Sequence, residues 1–128
     1  MENNDSVPLA MNPLLLQKIQ SNLKPDQVII LKFSATWCGP CKLIAPICEE
    51  WKKNTMPANR IYWVDIDIDE SIELYGALKS KRMINGVPTL FAFRGDKNSS
   101  RGQWYIPDDS VVGGNVQNVA AFLQRCLL

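Results

Sequence analysis

Phe33-Ser34-Ala35-Thr36-Trp37-Cys38-Gly39-Pro40-Cys41-Lys42-Leu43-Ile44-Ala45-Pro46 joins an apolar run to a helix-forming one and carries two cysteines at the joint. Upstream, Val28 to Phe33 is apolar apart from Lys32, the signature of a buried strand. Downstream, Pro40 suits the first turn of a helix, where its missing N–H removes no hydrogen bond and its fixed φ is already helical. A Cys-X-X-Cys pair on that turn brings two sulfurs within bridging reach, and the positive end of the helix dipole favours a thiolate on Cys38.

Composition narrows what that pair does. The chain has 128 residues, 46% of them hydrophobic, enough for one domain with a real core. Fourteen basic and 13 acidic residues leave a net charge of +1, so no electrostatic case exists for nucleic acid or an anionic membrane as partner. Met1 to Ser6 is polar, and Leu14 to Leu16 is too short for a signal-peptide core or a membrane span, which points to the cytoplasm. A core of this size does not need its four cysteines as staples, so redox or metal chemistry at Cys38 and Cys41 is the better reading. Cys48 and Cys126 are isolated, and with no histidine in the chain a zinc site cannot be completed; both read as small buried packing residues. The lack of histidine also removes Cys/His and Ser/His/Asp arrangements, leaving a carboxylate, an amine or water to accept protons.

Taken in order, residues 1–11 allow an N-terminal extension or a short edge strand. Asn12-Pro13 is a cap and first-turn pair, opening a helix over about 13–22. The strand 28–34 leads through the cysteine turn into a second helix running to about residue 53, with Pro46 inside it. Arg60 to Asp67 alternates as a strand, and Asp69 to Ser71 offer caps for a third helix through Ile72, Leu74 and Leu78. Asp67 and Asp69 read as capping and solvating residues, and Trp51, Trp63 and Trp104 as packing residues. Leu90 to Phe93 is a strand, 94–109 a turn-rich excursion, Ser110 to Val112 a last strand, and Asn115 the cap of a final helix. This order predicts an α/β fold with a mixed sheet covered on both faces: a parallel βαβ front and an antiparallel hairpin behind.

Trp37-Cys38-Gly39-Pro40-Cys41-Lys42, the later Pro46, Gly86-Val87-Pro88-Thr89 and Val112-Gly113-Gly114 stand in the order and near the separations found in thioredoxins, so residues 12–128 resemble that family. The resemblance implies a thioredoxin-like sheet of four to five strands and a protein disulfide reductase. Cys38 would attack a substrate disulfide and Cys41 would resolve the mixed disulfide. Pro88 would be the cis-proline, and Trp37, Gly39, Pro40, Val87, Pro88 and Gly113 would line the groove for an extended substrate segment. It implies no bound cofactor beyond the Cys38–Cys41 disulfide, a monomer, disulfide-containing protein substrates, and recharging by a thioredoxin reductase or an equivalent donor, since no flavin or nicotinamide fingerprint is present. A binding or assembly subunit on the same fold, with incidental redox activity, is the second reading.

Two departures stand out. Thioredoxins usually carry an Asp in the strand before the cysteines and a Lys on the neighbouring strand; here the matching residues are Lys32 and Asp65. A lone Lys in an apolar strand is costly unless paired, so Lys32 and Asp65 are expected to form a semi-buried pair that relays the Cys41 proton. The segment 94–109 is also longer than the family's tight hairpin. Strand direction places it at the end of the sheet away from Cys38.

Overall fold

Strand β1 (Val28–Ser34) is the spine of the molecule, buried at each position from Val28 to Phe33 in a computed structural model that describes residues 10–55 and 59–127. An apolar run of this kind demands cover on both faces and neighbours on both edges. Strand β2 (Ile61–Asp67) pairs with it in parallel, strand β3 (Thr89–Arg94) pairs antiparallel on the other side, and β4 (Asp109–Val112) lies antiparallel beside β3. The order β2-β1-β3-β4 makes a four-stranded mixed sheet. Helices α1 (Pro13–Ser21), α2 (Gly39–Thr55), α3 (Ile72–Ser80) and α4 (Val116–Arg125) alternate with the strands as the sequence predicts. Residues 1–9, most of the stretch for which an edge strand was allowed, lie outside the described residues, and residues 10–12 form no strand.

The period-two alternation of strands sorts the core into two layers. Ile29, Leu31 and Phe33, with Val64, Ile66, Phe91 and Phe93, meet Leu16 of α1 and Leu74 and Leu78 of α3. Val28 and Ile30, with Ile61, Trp63, Leu90 and Ala92, meet Ile44 and Cys48 of α2 and Val119, Phe122 and Leu123 of α4. Lys32 and Asp65 fall on the second parity. The α2/α4 layer therefore holds the charged residues of β1 and β2.

Asn12 and Asn115 cap as expected, accepting from the N–H groups of Leu15 at 2.8 Å and Asn118 at 2.9 Å. Ser71 precedes α3 but makes no side-chain cap, contrary to expectation. Its buried hydroxyl instead accepts the Met11 N–H at 2.8 Å, tying the approach to α1 onto the start of α3.

The excursion after β3 is a built piece of tertiary structure. Arg94 pairs with Val28, so the excursion leaves the sheet at the end opposite the cysteine turn, as the strand directions require. The Gly95 N–H donates to Gln27 O at 2.8 Å, and a Cβ there would sit 1.9 Å from Lys24 O, which restricts the position to glycine. The buried Arg101 guanidinium bonds the Asp108 carboxylate, Asn98 Oδ1 at 2.9 Å and Arg94 O at 2.9 Å, and lies 5.3 Å from the Phe93 ring centroid. Trp104 and Tyr105 then pack onto the α1/α3 layer.

Candidate active site

The cysteine turn is fixed at both ends. At its start the Cys38 N–H donates to Ala35 O at 3.2 Å; at its end α2 begins with Gly39. Cys38 and Cys41 are joined as a disulfide, their Cα atoms 5.3 Å apart. The Cys41 N–H points back to Cys38 Sγ at 3.1 Å. In the dithiol form, that donor and the helix dipole stabilise negative charge on Cys38 and not on Cys41, which lies inside the first turn. Both sulfur-bearing residues are nearly covered, at 4% exposure for Cys38 and 5% for Cys41.

Three segments distant in sequence meet at this turn. Trp37 is 66% exposed, yet its indole N–H donates to Asp69 Oδ2 at 2.9 Å, which holds the ring in one place. Asp69 is in turn fixed by its own N–H, which donates to Asp67 Oδ1 at 2.9 Å. The Val87–Pro88 bond is cis. Because Thr89 pairs with Phe33, Pro88 lies beside the end of β1 from which the cysteine turn springs. Pro88 O accepts the Gly113 N–H at 2.9 Å, and Gly113 adopts a φ of +100°, a region that glycine alone enters freely. A Cβ on Gly114 would sit 2.9 Å from Pro40 Cβ, so this second turn closes directly on the cysteine turn. Trp37, Gly39, Pro40, Val87, Pro88 and Gly113 thus belong to segments that the fold draws together around Cys38.

Behind Cys41 the structure departs from expectation. Lys32 and Asp65 are register partners on β1 and β2, side by side on the face under α2. They do not pair. Asp65 Oδ2 is bound by Lys52 Nζ at 3.2 Å and Oδ1 by the Trp63 indole N–H at 3.0 Å. Lys52 projects inward from α2, 5.3 Å from the Trp63 ring centroid and 3.3 Å from Glu49 Oε2, and reaches Asp65 from above the sheet. Among the described residues Lys32 forms no ion pair. It lines a cavity of about 250 Å³ with Ser34, Thr36, Cys41, Lys42, Ala45 and Asp67.

Sequence reasoning missed two residues of this site. Lys52 stands in the buried stripe Cys41, Ile44, Cys48, Lys52 of α2; that helical spacing marks it as inward-facing despite its charge. Asp69, whose place before α3 suggests a capping residue, anchors Trp37. The other thiols behave as packing groups. Burial pushes Cys48 up to about 11 and Cys126 up to about 12, so neither is a thiolate near neutral pH. Among the described residues no group of three or more Cys, Asp or Glu is placed to hold a metal ion.

A strand–dithiol–helix joint with a cis-proline beside it and a backbone donor on one sulfur defines a thiol–disulfide oxidoreductase. The thioredoxin family model matches residues 13–112. Thioredoxin-1 of Saccharomyces cerevisiae is 31% identical over 84 residues, covering 66% of this chain and 75% of the yeast protein. Thioredoxin H4-2 of rice is 32% identical over 99 residues, 77% of this chain and 63% of the rice protein. The crystal structure of Malassezia sympodialis thioredoxin superimposes with a TM-score of 0.61 at 26% identity, over 88% of each chain. The chain belongs to the thioredoxin family, and protein disulfide reduction is the activity its site is built for.

Proposed function

We propose that the chain is a general dithiol donor for protein disulfides. Cys38, as thiolate, attacks one sulfur of a substrate disulfide, forming a mixed disulfide and expelling the first substrate thiolate. Cys41 then attacks Cys38 Sγ, expelling the second, and the pair ends as the disulfide. The observation that supports this order of events is the Cys41 N–H aimed at Cys38 Sγ, a donor that would favour the thiolate on Cys38 once the pair is reduced. The substrate's extended segment lies over Trp37, Gly39, Pro40, Val87, Pro88 and Gly113, taking backbone hydrogen bonds from the residue before the cis-proline. Electrons come from a thioredoxin reductase or an equivalent donor. The protein works as a monomer in the cytoplasm, where a reducing poise suits the free thiols of Cys48 and Cys126. No helix among the described residues is long and apolar enough to cross a membrane.

The test is insulin reduction driven by dithiothreitol. The native chain is expected to accelerate precipitation of the insulin B chain, Cys38→Ser to abolish the acceleration, and Cys41→Ser to hold substrates as mixed disulfides. No acceleration by the native chain with both thiols intact overturns the reductase reading and supports an assembly subunit instead.

A further inference from the structure

We propose that Lys32 is a positioning residue for the resolving step: its ammonium, held in the layer behind Cys41, stabilises the Cys41 thiolate that attacks the mixed disulfide on Cys38. The inference rests on the order of attack proposed above and adds the group that charges the second sulfur.

Four observations carry it. Lys32 is 8% exposed in the middle of an otherwise apolar strand, where an ammonium is costly to keep without a use. Its face of the sheet is the one α2 covers, and Lys32 and Cys41 line the same cavity. The carboxylate beside it, Asp65, is committed to Lys52 and the Trp63 indole. The field of Lys32 reaches the inner face of α2: burial raises the Cys48 thiol, and among the charges acting there Lys32 is the strongest influence in the opposite direction.

Among the described residues two cations line the cavity with Cys41, the exposed Lys42 and the buried Lys32, and Lys32 is the one withdrawn from solvent. On β2, Asp65 is paired and Asp67 sits half-buried at the cavity rim. On α2, Lys52 is bound to Asp65 and Glu49, Lys42 is exposed, and Cys48 is a neutral thiol near pH 7. β3 presents Leu90 opposite Lys32, and the thiol that α4 adds to this layer, Cys126, is neutral as well.

The balance of the step differs from one that uses a carboxylate. An ammonium cannot accept the Cys41 proton, which passes to water or buffer before attack. The thiolate then forms the Cys38–Cys41 bond as the Cys38–substrate bond breaks. Two electrons leave the dithiol for the substrate, whose departing sulfur takes up a proton from solvent. Lys32 contributes charge and exchanges no atom.

The experiment follows the reduced protein after mixing with excess 5,5′-dithiobis(2-nitrobenzoate) in a stopped-flow instrument. The first nitrothiobenzoate is released in a bimolecular phase at Cys38, the second in a unimolecular phase as Cys41 resolves. In Lys32→Met the rising limb of the second phase is expected to move to higher pH. Each unit of that move leaves tenfold less thiolate at pH 7, offset by a roughly threefold gain in intrinsic nucleophilicity, so resolution slows about threefold per unit. Above both midpoints Lys32→Met becomes the faster protein, and Lys32→Arg keeps the native midpoint. A Lys32→Met midpoint that does not move, or slowing by one factor at every pH, overturns the proposal. Absence of the second phase in the native protein overturns the order of attack itself, a separate outcome.

Discussion

Helix α2 and its immediate surroundings hold two kinds of cysteine that share a residue type and little else. Cys38 and Cys41 sit where the helix begins, with a backbone N–H and the helix dipole pointed at one sulfur. Cys48 sits two turns further along the same inner stripe, and Cys126, at the C-terminal cap of α4, belongs to the same buried layer. All four are nearly covered, so exposure alone does not separate them. What differs is whether the polar groups nearby favour the charged form. Reactivity here is a property of the helix end, and the same side chain inside the helix is a space-filler.

The most direct way to break that contrast is labelling. Brief iodoacetamide treatment of the reduced native protein at pH 7 is expected to modify Cys38 and leave Cys48 and Cys126 unmodified, with mass spectrometry of peptides as readout. Modification of Cys48 at a rate comparable to Cys38 would erase the distinction.

Alkaline titration sharpens it on the buried side. Each buried thiol is raised above its ordinary value of 9.0, so the folded state holds those protons more tightly than the unfolded chain. Their contribution is complete below pH 9 and declines as the pH climbs toward about 11 for Cys48 and about 12 for Cys126. At a limiting slope of roughly 1.4 kcal/mol per pH unit per thiol, urea denaturation should show a loss of up to about 7 kcal/mol across that window. The double substitution Cys48→Ala with Cys126→Ala lowers stability at pH 7 through lost packing but flattens the alkaline decline.

On the reactive side, the turn depends on close backbone packing. Gly114→Ala places a methyl 2.9 Å from Pro40 Cβ and 3.3 Å from its Cα, so the two turns must separate. A cost of about 1–3 kcal/mol and a several-fold loss of insulin reduction are expected. Gly39→Ala has open space around its Cβ and is expected to leave stability within about 0.5 kcal/mol, which isolates the Gly114 contact as the cause.

The smallest effect belongs to charge away from both thiol pairs. The Arg125 guanidinium on α4 holds the Asp109 carboxyl below its ordinary value, through contacts of 2.7 and 3.1 Å. That carboxyl's stabilisation is present above pH 4 and lost as the pH falls through the lowered value. Both groups are well solvated, so Arg125→Ala should cost no more than about 1 kcal/mol at neutral pH and vanish in high salt.

Much of this was legible in the sequence. The apolar run of β1, the Asn12 and Asn115 caps and the alternation of β2 are local signals, and the elements appear within a residue or two of where those signals put them. Cys38 and Cys41 could be placed from spacing and turn chemistry, whereas Pro88 was legible only through the resemblance of Gly86-Val87-Pro88-Thr89 to the thioredoxin pattern. Side-chain partnerships across elements were not legible. Asp65 pairs with Lys52 and not with its register neighbour Lys32 because α2 lowers the Lys52 ammonium onto it, and strand pairing alone does not report what a helix brings over the sheet. Ser71 likewise gives its hydroxyl to Met11, a partner 60 residues away. The order within 94–109 rests on Arg101, whose acceptors are a carboxylate, an amide and a main-chain carbonyl that no periodicity connects.

That excursion also governs how the protein opens. Gln20 Nε2 donates to Trp104 O at 2.9 Å, and Asn98 Nδ2 returns a bond to Gln20 O at 2.8 Å, so α1 and the excursion clasp each other at the end of the sheet remote from the disulfide. Neither can detach while the other stays folded without stranding these groups. In hydrogen exchange the amides of α1 and of residues 95–108 should therefore report a single subglobal opening, separate from the local fluctuations that admit a substrate at the cysteine turn. The molecule is latched at the end of the sheet where the excursion departs, remote from the cysteine turn.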